Sequence, residues 1–311
     1  MPIQRFSSFE AFMEANRHAR LRPMVLGRDR GNWALTHLMV NNLSVQWGEA
    51  GGKAVIEGAS RLGGLTLFLQ TRGAPAFSGN GRRLDDLSLM VAQPDSEFCL
   101  AADGASRRWC SLYIPNGDLV SPDGDTKAAA DSMRGVFQLP SQRMERFRSV
   151  IEQLDEAVQH APAAFESVAA QQAAKQKLVL EIRTVLGQPR QAGHQIGRPV
   201  VPRERIISIA LAFVDQHAGE YLSVEQVAAA AGVSERTLRD AFQRYFGVSP
   251  VRYLNLRTLH QVRGVLKAAD PSLATVTGIA AQFGVWQFGR FARDYRLLFN
   301  ELPSQTLRDL P

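Results

Sequence analysis

The feature that most constrains this chain is a repeated pattern of helix caps, glycines and apolar residues near its C-terminal end. The first copy runs from Ser223 to Pro250 and reads SVEQVAAAAGVSERTLRDAFQRYFGVSP. Ser223 is placed to cap a helix that ends before Gly232, and Ser234 is placed to cap the helix that follows. A small residue, a glycine four positions later and an apolar residue six positions after that are typical of a helix-turn-helix.

The pattern recurs 52 residues further on, with one extra residue after the second glycine. Thr275 corresponds to Ser223, and Gly284 corresponds to Gly232. A duplicated motif with matching caps and core positions arises by chance far less often than a single one. Residues 251–268, between the copies, follow a helical pattern about 27 Å long at 1.5 Å per residue. The sequence therefore predicts two recognition helices on a rigid spacer, placed to enter successive major-groove segments about 34 Å apart.

Residues from about 205 to 305 resemble the DNA-binding domain of the arabinose-regulator (AraC/XylS) family of bacterial transcription regulators. The motifs AAAAGVSERTLRDAFQRYFGVSP and IAAQFGVWQFGRFARDYRLLFNELP carry the resemblance, which covers about a third of the chain. Asn300 stands where the family usually has glycine, and Gly289 stands where a polar residue is common and removes one potential DNA contact. The resemblance implies a DNA-binding regulator, usually an activator that contacts RNA polymerase, although repression remains open.

The outward faces of the two recognition helices carry the residues expected to touch double-stranded DNA. The first helix is predicted from Glu235 to Phe246 and the second from Trp286 to Phe299, and residues near the start of such helices reach base edges. The inward positions of the first helix are Leu238, Ala241, Phe242 and Tyr245. The candidates for base contact are Arg236, Arg239, Asp240, Gln243, Gln287, Phe288, Arg290 and Arg293. The candidates for phosphate contact are Ser223, Arg244, Arg257, Thr275 and Arg296.

Each type of candidate side chain matches a chemical feature of DNA. Arg236 and Arg239 are expected to bind guanine, Asp240 to accept from cytosine or orient an arginine, and Phe288 to contact a thymine methyl group. Trp286 is interpreted as a packing residue. Of the 36 Lys and Arg residues, 15 lie in residues 190–311 against 10 Asp and Glu, and 14 of these 15 are arginines. Arginine is favoured where phosphates or guanine edges are bound in a fork geometry.

The N-terminal part of the chain has a different organisation. Residues 33 to 114 alternate apolar and polar in short bursts separated by Gly and Pro, which is typical of a small antiparallel sandwich or barrel. The predicted strands include 43–47, 53–57 and 108–114. From Pro140 the period becomes helical, and two helices end near Pro162 and Gly187. The predicted fold class is α+β with two domains: an antiparallel β-barrel with a helical hairpin, then an all-α double helix-turn-helix. The predicted boundaries are 1–187 for a sensing and dimerisation domain (barrel 1–139, hairpin 140–187), 188–202 for a linker and 203–311 for the DNA-binding domain.

The hairpin carries a narrow apolar stripe with spacings of 3 and 4 residues. Such a stripe suits either a seam between two chains or packing back on the barrel of the same chain. We expect a homodimer. Its candidate interface residues are Phe147, Ile151, Leu154, Val158 and Ile182.

The resemblance also implies that the N-terminal domain is cupin-like and senses a small-molecule effector. The candidates for lining its pocket are Trp33, Trp47, Phe68 and Trp109, although a buried aromatic residue is more often simple core. The six histidines show no close spacing of metal ligands, so neither a metal nor another cofactor is expected. A regulator without an effector remains an alternative.

An enzyme is the rival interpretation from a different class. A DNA-repair methyl acceptor fused to a similar double motif needs an activated cysteine. Cys99 and Cys110 both lie in apparent strands without a neighbouring histidine, so this interpretation is not favoured. The chain shows no apolar run of about 18 residues and no apolar signal core at its start, which predicts a cytoplasmic protein without a membrane span.

Overall fold

The computed structural model describes residues 3–27, 33–71, 77–119, 133–187 and 203–308. The predicted linker, residues 188–202, lies outside the described residues. The chain divides into two compact units. The first, the sheet unit, comprises 1–23, 31–51 and 56–195, and the second, the helical unit, comprises 24–30, 52–55 and 196–311.

The described part of the N-terminal half contains ten strands joined in one sheet. The strands are β1 (Gln4–Phe6), β2 (Ala19–Val25), β3 (Trp33–Val40), β4 (Leu43–Ser60), β5 (Gly64–Gln70), β6 (Phe77–Gly79), β7 (Arg82–Arg83), β8 (Ser88–Ala92), β9 (Glu97–Pro115) and β10 (Gly135–Gln138). The main path is β1-β3-β4-β9-β5-β8-β10, with β2 on β4 and with β6 on β7 and β9. The registers of β1–β3, β3–β4, β5–β9 and β8–β10 are all antiparallel, as predicted.

Two strands are longer than the sequence pattern indicates. The predicted strands 43–47 and 53–57 are parts of one strand, β4, and the predicted strand 108–114 is the end of β9. Gly52 and Gly104 lie within these strands at φ +92° and +114°. Glycine adopts this backbone conformation without strain, so each strand continues through its glycine.

Helical segments of the N-terminal half pack against the sheet. They are α1 (Phe9–Glu14), α2 (Asn116–Leu119), α3 (Ser141–His160), a 3₁₀ turn (Pro162–Glu166) and α4 (Val168–Leu186). Helices α3 and α4 form the predicted hairpin, and their apolar residues join one core with those of β3, β5, β8 and β9. Helix α2 packs on the same core, which contains Leu112, whereas α1 packs on Trp33 and Trp109.

This packing corrects the predicted dimer interface. Phe147, Ile151, Leu154, Val158 and Ile182 are all buried inside the same chain, at 0 to 8 % exposure. Their partners are sheet residues such as Leu38, Leu67 and Leu112. The stripe therefore covers the sheet of its own chain, which was the other outcome the spacing allowed, and it is not available to a second chain.

The C-terminal half is entirely helical in its described residues. Its helices are α5 (Arg203–Gln216), α6 (Val224–Ala230), α7 (Glu235–Phe246), α8 (Pro250–Ala268), α9 (Val276–Gln282), α10 (Phe288–Phe299) and α11 (Pro303–Arg308). Helix α8 is the predicted spacer, with Tyr253, Leu256, Val262 and Leu266 buried along it. No helix in the described ranges combines the length and apolar character needed to cross a membrane.

Candidate nucleic-acid interface and ligand cavity

The first helix-turn-helix consists of α6 and α7, and both helices begin at the predicted caps. The Ser223 hydroxyl accepts from the Gln226 backbone N–H at 3.2 Å, and the Gln226 side chain accepts from the Ser223 N–H at 2.9 Å. This reciprocal pair is a capping box. The Ser234 hydroxyl accepts from the N–H of Thr237 at 3.2 Å and starts α7.

The second helix-turn-helix consists of α9 and α10, and only its first helix has a side-chain cap. The Thr275 hydroxyl accepts from the Gly278 N–H at 3.0 Å. Gln287 precedes α10 and makes no capping hydrogen bond with its side chain. Helix α10 begins at Phe288, two residues later than predicted. The one extra residue after Gly284 leaves Trp286 and Gln287 outside the helix.

Both turns have the left-handed glycine that the sequence predicts. Gly232 lies at φ +66° and Gly284 at φ +70°. A residue with a Cβ atom is strained in this conformation. A Cβ atom at Gly284 would also lie 3.1 Å from the backbone N and the Cβ of Tyr221. The second turn is therefore packed against the loop that precedes the first motif.

The inward faces of the recognition helices are apolar and buried. In α7, Leu238, Ala241 and Phe242 are buried as predicted, but Phe246 fills the position assigned to Tyr245, which is half-buried. In α10 the residues facing the core are Phe291, Tyr295 and Leu298.

Tyr295 also closes the second motif through its hydroxyl group. The Tyr295 and Thr306 hydroxyl groups are 2.7 Å apart, and Thr306 donates to Glu301 at 2.9 Å. Burial raises the pKa of Tyr295 to about 12. The phenol therefore stays neutral and joins α10 to α11.

The outward faces carry the predicted base-contact residues. Seven are exposed and Phe288 is half-buried. The exposed ones are Arg236, Arg239, Asp240, Gln243, Gln287, Arg290 and Arg293. Both helices thus present polar and cationic side chains on the side opposite the core, and their contact with DNA stays a prediction.

Ion pairs on the first recognition helix hold some of these side chains in place. Arg239 lies 3.5 Å from Glu235. Asp240 lies 3.0 Å from Arg244 and 3.4 Å from Arg203. The hydrogen bond from Arg244 keeps the pKa of Asp240 below its usual value. Exposed ion pairs of this kind contribute about 0 to 1 kcal/mol, so a DNA contact can replace them at little cost.

Arg236 differs from its neighbours on α7. Its side chain is exposed and makes no ion pair within the described residues. It lies in the first turn of the helix, where side chains reach base edges. Its contact with a base stays a prediction.

The second recognition helix carries more net positive charge than the first. Helix α10 contains three arginines and one aspartate, a net charge of +2, whereas α7 contains three arginines and two carboxylates, a net charge of +1. Asp294 lies 3.6 Å from Arg290 and 3.4 Å from Arg293. This distribution suits phosphate contact by the second motif.

One phosphate candidate is corrected. The side chain of Arg257 is only 16 % exposed and forms an ion pair with Asp215 of α5. Its guanidinium group therefore joins two helices of the same unit. The remaining phosphate candidates are accessible: Ser223 is half-buried, and Arg244, Thr275 and Arg296 are exposed.

Trp286 is also corrected. It was interpreted as a packing residue, but its side chain is 75 % exposed. It lies two residues before α10, next to the half-buried Phe288. The cause is the longer second turn, which places Trp286 outside the helix. The second motif therefore presents two aromatic side chains beside its arginines.

A partly open cavity lies within the sheet unit. Two of the four predicted aromatic residues, Phe68 and Trp109, line it. The other two are corrected. Trp33 packs on Phe9 at 4.5 Å between ring centroids, and Trp47 belongs to the core between sheet and hairpin.

A row of hydrogen-bonded polar side chains at the cavity wall was not predicted from the sequence. The His18 ring lies 2.8 Å from the Ser111 hydroxyl through Nδ1 and 2.7 Å from the Ser44 hydroxyl through Nε2. The Ser44 hydroxyl also lies 2.7 Å from Nε2 of His37. Since His18 and Ser111 are 93 positions apart, only the alternation of polar residues in β4 and β9 offered a signal.

The two cysteines are both buried in the sheet unit. Burial raises the pKa of Cys99 and Cys110 well above the ordinary value. A nucleophilic cysteine needs the opposite shift, so neither suits the chemistry of a methyl acceptor. Within the part of the chain that the structure describes, no group of three His, Cys, Asp or Glu residues is arranged to hold a metal.

Comparison with known proteins concerns mainly the helical half. A family profile described as a helix-turn-helix domain matches residues 227–309. The chain is 38 % identical over 114 residues to the probable thc operon regulatory protein of Rhodococcus erythropolis, which covers 37 % of this chain and 34 % of that protein. It is 34 % identical over 105 residues to the XylDLEGF operon transcriptional activator of Pseudomonas putida, which covers 34 % of this chain and 32 % of that protein. The chain therefore spans about a third of the length of these relatives.

Two solved structures are also similar. A probable AraC family transcriptional regulator from Rhodopseudomonas palustris is 32 % identical, with a TM-score of 0.31, and covers 34 % of this chain and 98 % of that one. The AraC-like transcriptional activator CuxR is 12 % identical, with a TM-score of 0.40, and covers 87 % of this chain and 92 % of that one.

Proposed function

We propose that this chain, a member of the AraC/XylS family, is a sequence-specific regulator that activates transcription when a small molecule binds its sheet unit. The observation that carries the DNA-binding part is the double motif itself. Two recognition helices, each with arginines on its outward face, are attached to one spacer helix. Helix α8 has 19 residues and is about 28 Å long at 1.5 Å per residue, which suits two successive major-groove segments.

The two motifs have different roles in this proposal. The first, with Arg236 near the start of α7, contacts guanine edges. The second, with net charge +2 on α10 and the aromatic pair Trp286 and Phe288, contributes phosphate contacts and apolar contacts to thymine methyl groups. Specificity therefore rests more on the first half of each binding site.

Mapping the bound sites of the full chain in a bacterial genome tests this proposal. We expect a shared motif with two conserved segments about one helical turn apart, near 10 base pairs, the segment under α7 being the more strictly conserved. A set of bound fragments without a common motif would contradict sequence-specific binding.

The activator part is supported by the Pseudomonas putida relative, which is named as a transcriptional activator. We propose contact with RNA polymerase at promoters near the mapped sites. A reporter gene placed behind such a promoter is expected to rise in expression when the chain is produced. A fall in expression would instead assign a repressor.

The effector part is supported by the cavity beside His18 and Trp109. A concave, mostly apolar wall with a few polar groups at one place is the usual character of a small-molecule site. A regulator that acts without an effector is the alternative. Because a ligand stabilises the native state by an amount that grows with the logarithm of its concentration over its Kd, a thermal-shift screen of the full chain separates the two.

We also propose that the active species is a homodimer that binds two copies of the site. Because Phe147, Ile151 and their neighbours are buried, the contact between chains uses another surface. A mass measurement by light scattering on the full chain checks this, and a monomer mass with and without DNA would contradict it.

A further inference from the structure

We propose that the cavity of the sheet unit takes an uncharged, largely apolar ligand that carries one hydroxyl or carbonyl group, which binds the Ser111 hydroxyl. The inference rests on the proposed function only in taking this cavity as the effector site. It names the chemical class of the effector.

The wall of the cavity sets the apolar part of the ligand. Met13, Ile56, Phe68, Phe77, Met90 and Trp109 are among the residues that line it. No Lys, Arg, Asp or Glu of the described residues lines it. A charged group placed there would lose its hydration without gaining a counter-ion, which is strongly unfavourable. The cavity therefore excludes carboxylates and amines in their ionised forms.

The polar part of the wall is concentrated at one place. The side chain of Asn16 accepts from the backbone N–H of His18 at 2.9 Å, and Thr66 donates to the backbone carbonyl of His18 at 3.3 Å. Both contacts fix the backbone of His18, and the Nδ1 atom of its ring lies 2.8 Å from the Ser111 hydroxyl. Ser111 and His18 both line the cavity, so a polar ligand group meets them together.

The hydrogen-bonded side chains of His37, Ser44, His18 and Ser111 have two proton arrangements that satisfy all three hydrogen bonds. In the first, His37 donates to Ser44, Ser44 to His18, and Nδ1–H of His18 to Ser111, which leaves the Ser111 O–H to donate to a ligand carbonyl. In the second, every donor and acceptor is reversed, and the Ser111 oxygen accepts from a ligand hydroxyl. A neutral imidazole carries one proton and one lone pair, so the shift between tautomers fits the site to either ligand.

The imidazole rings of His18 and His37 stay neutral over the physiological pH range. Burial, with the nearby His37 and Arg61, lowers the pKa of His18 to about 3, and burial lowers the pKa of His37. A protonated imidazole would attract an anion into the cavity, whereas a neutral one does not. The buried histidines therefore agree with the absence of a lining cation among the described residues.

Matched two-ring probes test the inference on the full chain by isothermal titration at pH 7.5. The probes are 2-naphthol, methyl 2-naphthyl ketone, naphthalene, 2-naphthoate and 2-naphthylmethylammonium. We expect the naphthol and the ketone to bind at least about 30-fold more tightly than either ion, because neither ion finds a counter-charge. A naphthoate or ammonium affinity equal to that of the naphthol would overturn the proposal.

The Ser111→Ala variant tests the proposed hydrogen bond between the Ser111 hydroxyl and the ligand. We expect it to weaken the naphthol and the ketone by about 3- to 10-fold, the effect of one hydrogen bond, and to leave naphthalene unchanged. Ser88→Ala is the matched control, because Ser88 is a buried serine of the same sheet that bonds Asp85 and does not line the cavity. An equal loss of naphthalene binding in Ser111→Ala would assign Ser111 to packing alone and overturn its proposed role.

Failure of this inference is distinguishable from failure of the proposed function. If no neutral probe binds while the chain still occupies a shared genomic motif, the ligand class is wrong and the DNA-binding function stands. If the neutral probes bind and no genomic motif is found, the ligand class stands and the proposed function as a sequence-specific regulator is wrong.

Discussion

The ring of Phe246, at the end of the first recognition helix, stacks on Tyr253 of the spacer helix with centroids 4.6 Å apart and planes 29° from parallel. The second recognition helix ends on the same spacer in a related way. The ring of Phe299 lies 5.0 Å from His260 and 4.4 Å from the guanidinium carbon of Arg263. Each recognition helix is therefore fixed to α8 by an aromatic residue at its C-terminal end, and α8 sets the distance between them.

The first prediction concerns this aromatic anchor. Phe246→Ala removes a fully buried ring, and we expect the helical unit to lose about 3 to 5 kcal/mol of its free energy of unfolding. Chemical denaturation followed by helical circular dichroism measures the loss. Tyr221→Ala is the control, since that ring is 77 % exposed and should change stability by about 0.5 kcal/mol or less. Equal effects of the two variants would contradict the anchor.

Two glycines of the helical unit give a second prediction with opposite signs. Gly284→Ala should destabilise by about 1 to 2 kcal/mol, because alanine is strained at φ +70° and its Cβ would crowd Tyr221. Gly264→Ala should stabilise by about 0.5 to 1 kcal/mol, because Gly264 lies inside α8 with nothing within 4 Å of an added Cβ. Melting temperatures of the two variants check this. A stabilising Gly284→Ala would rule out the left-handed second turn.

The third prediction concerns pH and His18. Because the pKa of His18 falls from 6.5 to about 3 in the folded chain, the unfolded chain binds an extra proton between these values. The contribution of the neutral ring is complete above pH 6.5 and is lost as the pH falls from 6.5 towards 3, at up to about 1.4 kcal/mol per pH unit. Urea unfolding at pH 7.5 and 5.0, followed by tryptophan fluorescence, measures the slope.

The matched variants for this measurement are both histidine substitutions. His18→Gln should flatten the pH slope, whereas His160→Gln, on the exposed end of α3, should leave it as in the parent chain. If His18→Gln keeps the full slope, the acid sensitivity belongs to other groups.

The sequence predicted the helical half well because its determinants are local. Caps such as Ser223 and Thr275 and turn glycines such as Gly232 act on residues within four positions, so their pattern is visible in one dimension. The exceptions are Trp286 and Phe246, whose placement depends on how an inserted residue and a helix end meet their neighbours.

The sheet half was predicted less completely because its contacts are long-range. The hairpin residue Phe147 was consistent with two partners, a second chain or the chain's own sheet, and spacing alone does not choose between them. The cavity depends on β4 and β9 meeting side by side, which brings Ser44 and Ser111 to one histidine. No local pattern marks such a meeting, so the aromatic candidates Trp33 and Trp47 were wrong.

The central claim is that α7 recognises base sequence through Arg236 and Arg239. Genome-wide mapping of bound sites by the Arg236→Ala, Arg239→Ala double variant tests it most directly. The control is Arg82→Ala, which removes an exposed arginine of β7, outside the helix-turn-helix motifs. Each lost bidentate contact to guanine is expected to cost about 1 to 3 kcal/mol, so affinity for the sites of the parent chain should fall at least about 10-fold. The guanines that those sites share under α7 should no longer be shared among the sites that the variant binds. The Arg82→Ala chain should keep the parental sites. Unchanged site selection by the double variant would contradict the assignment of α7 as the recognition helix.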